Sequence, residues 1–142
     1  MSTLTGDRGS VTAETMIVLP IVVLLLLLAV AAGRVTLALG TIEAAARDAA
    51  REASIARTPW AARQAAVTGA RASLTSGGVH CASTAVDVET AGFARPAGTP
   101  ATVAATVSCR ITLSDLGFPG MIGSLTKRAH SISPLDPFRG RT

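Results

Sequence analysis

Gly9-Ser10-Val11-Thr12-Ala13-Glu14-Thr15 leads directly into MIVLPIVVLLLLLAVAA, residues 16–32. Those 17 residues carry no charge. At ~1.5 Å per residue they make about 26 Å of helix, near the minimum for crossing a hydrocarbon core. Including Val11 to Thr15 lengthens the span but takes Glu14 into it. Pro20 lies one turn into the run, where its missing N–H and its ring predict a bend in the helix. Gly33-Arg34 marks the exit from the bilayer.

The helical pattern continues past that exit. Val35, Leu39, Ile42, Ala46, Ala49, Ala53 and Ala56 recur at spacings of four and three, an apolar seam of mostly small side chains. Glu43, Arg47 and Arg51 flank it at i, i+4 spacing. One long helix is therefore expected from about Val11 to Ala56. Its seam has two possible partners, the chain's own β layer and a neighbouring subunit. Thr58-Pro59 then caps a second helix, expected over Pro59–Leu74 with Trp60, Val67 and Leu74 on one face and Gly77-Gly78 ending it.

The remainder reads as β structure. Val79–Thr90 has strand character, and Ala91–Pro100 is a Gly/Pro loop. Thr102–Leu113 alternates, with Val103, Ala105, Val107, Cys109, Ile111 and Leu113 on one face. Gly117-Phe118-Pro119-Gly120 is a turn, Leu125–Ser133 a third strand, and Pro134 the start of a frayed tail. The fold class expected is α+β and membrane-anchored: a long N-terminal helix, a second short helix and a small antiparallel sheet.

Composition limits the chemistry. The net charge is +4, yet the arginines are dispersed and no basic block interleaves with aromatics, so nucleic acid is not an expected partner. With 3% aromatic residues and alanine supplying much of the apolar content, a large independent core is not expected. His80 and His130 have no metal-ligand spacing to the cysteines, and no cofactor is implied. Asp87, Glu89 and Asp115 read as strand and turn acids rather than a catalytic set. Cys81 and Cys109 lie in strand-like segments beyond the membrane; a disulfide is expected, with two buried thiols as the alternative.

The segment before the apolar run carries the functional signal. An ordinary signal peptide places its small-residue cleavage site after the apolar stretch. Here the candidate cut, Gly9|Ser10, precedes it, so cleavage would leave the membrane helix in the mature chain. This arrangement resembles the class III leader of type IV pilin-like proteins: Gly, a cut, Glu as the fifth residue beyond it, then an apolar helix. The longer string resembles the TadE-like family, with Glu14, Leu19-Pro20, Gly33-Arg34 and Ala45-Ala46-Arg47-Asp48-Ala49-Ala50-Arg51 in that order. The resemblance covers residues 9–53. The leader departs from the fuller pattern in having only Arg8, beside Asp7.

That resemblance implies a non-enzymatic minor pilin or pseudopilin of a tight-adherence, Flp-type pilus system. It implies processing by a prepilin peptidase and partnership with other pilins and with the assembly platform, with oligomerisation through the N-terminal helix. The organisation expected is a cytoplasmic leader over 1–9, a transmembrane and stalk helix over 10–57, and a small extracytoplasmic α+β region over 58–142. The N-terminus would be cytoplasmic and the C-terminus extracytoplasmic. Glu14 would act in assembly, paired with a new α-amine at Ser10 of its own or a neighbouring chain. Taken alone, Glu14 also reads as an interfacial carboxylate near a helix start. The rival reading of the chain is a signal-anchored extracytoplasmic binding module that keeps residues 1–9.

Overall fold

A computed structural model describes residues 10–115, 120 and 122–138, with side chains from residue 15 onward. Helix α1 spans Ser10–Ile55, and helix α2 spans Pro59–Ser76. Strand β1 (Ser83–Glu89), a 3-10 turn at Ala91–Ala94, strand β2 (Ala101–Thr112) and strand β3 (Ser124–Leu135) follow. The chain divides into two compact units, Met1–Gly33 and Arg34–Thr142. The second holds the core, so α1 from Arg34 onward belongs to the folded head.

In the head, α1 and α2 form an antiparallel hairpin. Gly69 faces Asp48 and Glu52, and eight residues later Gly77 faces Thr41. Both helices contribute alanine to the common core: Ala45, Ala46, Ala49, Ala50 and Ala53 from α1, and Ala62, Ala66 and Ala70 from α2, all at most 1% exposed. Methyl-sized side chains let two helix backbones approach closely. Thr58 starts α2 by accepting the Ala61 amide on its Oγ1 at 3.2 Å. At the other end the Gly77 amide donates to Ser73 and the Val79 amide to Leu74, while Gly78 turns out of the helix at φ 68°. A Cβ on Gly77 would run into the Thr41 side chain.

The stripe expected on α2 is corrected here. Trp60 is 71% exposed and Val67 only half-buried, whereas Ala62, Ala66, Ala70 and Leu74 form the buried line at i, i+4. An indole cannot enter an interface spaced for methyl groups, so size selects the small residues over the most apolar ones. The same burial settles the α1 seam: from Ile42 to Ala53 it is covered within the chain.

The sheet has order β1-β2-β3 and both pairings are antiparallel. Val103, Ala105, Val107, Cys109 and Ile111 point into the common core with the helices, as the alternation predicts. Two boundaries differ from expectation. Val79 spends its amide on the helix end, so the β1 ladder opens only where the Ala82 amide donates to Arg110. Pro134 and Leu135 do not fray: they pair with Thr102 and Ala101, and Leu135 is buried. An edge strand tolerates a proline, because one side of it has no ladder to complete. The strands run along the helical hairpin. At one end Arg63 of α2 donates to Thr90 just beyond β1. At the other, Ile111 and Asp115 lie around one hollow with Arg34, Leu37 and Ala38. Of the expected turn, Gly117, Phe118 and Pro119 lie outside the described residues.

Cys81 and Cys109 are disulfide-bonded, with Cα atoms 5.4 Å apart. Cys81 sits two residues before β1 rather than in it, and Cys109 is fully buried in β2. The bridge closes a loop of 28 residues, worth about 3–4 kcal/mol in the chain-entropy account. Non-reducing peptide mapping of the full chain should recover the linked pair. The Cys81→Ala/Cys109→Ala variant should lose about that much unfolding free energy in a denaturant titration. In the buried alanine layer, Ala49→Leu should cost about 1–3 kcal/mol by overpacking. Ala72→Leu on the exposed face of α2 should cost little.

Candidate functional site: the N-terminal membrane helix

From Met16 to Val30, α1 is a row of large aliphatic side chains, each 45–75% exposed. The window has a mean hydropathy of 3.0, and this is a helix long and apolar enough to cross a membrane. An apolar surface on this scale is not left in water by soluble proteins. In a membrane, lipid or other helices would cover it. The backbone adds nothing to the difficulty, because a helix bonds its own N–H and C=O groups.

Four sequence-predicted positions belong to this helix or its leader. Ser10 and Glu14 fall in the first two turns of the described span of α1, and their side chains lie outside the described residues. Gly9 lies outside the described residues altogether. Pro20 is inside α1, and the assigned helix continues through it. Proline there leaves the Met16 carbonyl without its usual helical donor, so that carbonyl is available to a neighbouring group in the membrane.

The other chemistry-bearing residues do not converge. His80, on the link after α2, and His130, on β3, are both exposed, as are Asp87, Glu89 and Asp115. Among the described residues no three His, Cys, Asp or Glu side chains are grouped to hold a metal. The outer face of the sheet carries an open groove of about 740 Å³, bordered by Glu89, Arg95, Thr102, His130 and Ile132. Sequence reasoning missed Phe93, which buries itself from the 3-10 turn, and the alanine line of α2. The i, i+4 repeat Ala62-Ala66-Ala70 carries the signal for the second; nothing in the Gly/Pro loop flags the first.

No curated protein and no solved structure matches the chain. Over residues 9–51, which span the leader glycine, the apolar run, Gly33-Arg34 and the alanine-rich stretch to Arg51, the chain matches the family profile described as TadE-like protein.

Proposed function

We propose that this chain is a non-enzymatic minor pilin or pseudopilin of a tight-adherence, Flp-type pilus system. The observation that carries the reading is the match of residues 9–51 to the TadE-like family, over the helix whose apolar surface is left uncovered. A prepilin peptidase at the cytoplasmic face cuts between Gly9 and Ser10 and removes only the polar leader. The membrane helix stays attached to the head. The leader is then cytoplasmic and the head extracytoplasmic, a compartment in which the Cys81–Cys109 bridge persists.

Glu14 is the assembly residue in this mechanism. A carboxylate near the start of a lipid-facing helix is costly, up to at least ~2.5 kcal/mol if carried to the helix centre. The α-amine created at Ser10 is its natural partner. Pairing between neighbouring chains would relieve both desolvation penalties and fix the axial register of one subunit against the next. The partners are therefore the prepilin peptidase, the membrane, other pilins and the assembly platform. With the seam from Ile42 to Ala53 covered within the chain, the surface free for helix-to-helix contact is the apolar run.

Mass spectrometry of membrane-extracted protein should find Ser10 at the mature N-terminus. A chain that still begins at Met1 or Ser2 where the peptidase is present supports the signal-anchored binding module instead. Glu14→Ala should be inserted and cut normally, keep its disulfide, and be lost from purified pilus fractions by at least tenfold. Glu14→Gln should behave the same way, because it keeps the size and hydrogen bonding but not the charge. Wild-type incorporation of Glu14→Ala would reduce Glu14 to a helix-start carboxylate and end the register mechanism.

A further inference from the structure

Among the described residues the sheet has three strands, with β1 and β3 at its edges. Among the described residues their backbone hydrogen bonds run to β2 on one side and to nothing on the other. Such edges are templates for pairing with another chain, and proteins ordinarily guard them with charge, proline or brevity. Here the guards are of opposite sign. β1 carries Asp87 and Glu89 and no base; β3 carries Lys127, Arg128 and His130 and no acid. Register places Asp87, Glu89, Arg128 and His130 on the same outer face of the sheet, at its two opposite margins, and all four are exposed. Two β1 edges would bring acid against acid, and two β3 edges base against base. Only the mixed pairing joins unlike charge.

We infer that the β3 edge of one head pairs with the β1 edge of a second copy of this chain, building a continuous intersubunit sheet. The strand directions agree. β1 and β3 both run antiparallel to β2, hence parallel to each other, and the strands lie along the helical hairpin. Two copies whose heads point the same way present these edges in a common direction. Their unlike edges therefore meet as parallel strands, without inverting either subunit. Level heads bring Asp87 beside His130 through the shared row Asp87–Thr106–His130. An offset of two residues, ~6.6 Å, sets Asp87 beside Arg128 and Glu89 beside His130. The contact is heterologous, so each subunit keeps one edge free and the sheet extends without closing on itself.

Neutral positions on the same face read the pairing without touching its charges. With the two-residue offset, Ala85 lies beside Thr126. In membranes holding the full-length protein, Ala85→Cys co-expressed with Thr126→Cys should give a disulfide-linked dimer on mild oxidation. Both substitutions in one chain should give a ladder of multimers, and either alone should give no dimer above wild type. Asp87→Lys or Arg128→Glu should lower the mixed product roughly twofold to fivefold, and the two together on facing edges should restore it. Peptide mapping of Cys81–Cys109 confirms that each variant is folded. Absence of the mixed dimer, a dimer from one single-cysteine variant alone, or a yield indifferent to charge reversal would overturn the inference. The contact belongs to the head and is measurable in uncut protein, so its failure leaves the leader-processing reading untouched.

Discussion

One helix carries two kinds of surface, and the rest of the molecule is arranged around that constraint. From Met16 to Val30, α1 exposes large aliphatic side chains and is long and apolar enough to cross a membrane. From Arg34 onward the same helix has one apolar stripe, and that stripe is too small to be left to water or to hold a fold alone. It needs α2. The sharp change at Gly33-Arg34 coincides with the point where the compact head begins.

The alanine interface explains why the head is built as it is. Each buried alanine removes about one methyl group from water, so a helical hairpin joined by alanines gains little per contact. Its advantage is proximity: the backbones approach until Gly69 lies against Glu52 and Gly77 against Thr41. The heavier burial comes from the sheet, through Val103, Val107, Cys109 and Ile111. A head whose helical layer gains little per contact benefits from a covalent tie. The disulfide fastens the exit of α2 to the central strand, which is where the helical layer and the sheet are joined by chain.

The parts of this fold that were legible in the sequence are those with one strong period. The apolar run, the i, i+4 seam of α1 and the alternation of β2 each point to one element and one buried face. α2 was legible as a helix but not as a surface. Trp60 looks like an anchor by hydrophobicity, and only the spacing set by the partner helix decides that Ala66 is buried while Trp60 is exposed. Pro134 misled for a similar reason. Proline ends strands in general, but an edge strand has a side on which no donor is needed, and edge position is a property of the whole sheet. The candidate site divides the same way. Its order of residues, from Gly9 through Glu14 to Arg51, is a linear signal; the partner proposed for Glu14 has no such signal, because pairing is a relation in space that one sequence does not encode.

Membrane anchoring also changes what counts as a useful surface. A parallel pairing of seven residues is weak for two proteins meeting freely in solution, where translational and rotational freedom must be given up at each encounter. Under the proposed anchoring, heads held to one surface would have given up much of that freedom already, and the effective concentration of one edge for the next would be high. Under those conditions modest edges suffice, and selectivity matters more than strength. Charges of one sign on both edges would have kept copies apart. Charges of opposite sign disfavour the two self-pairings and favour the mixed one, so the acidic strand and the basic strand give the proposed intersubunit sheet a single direction.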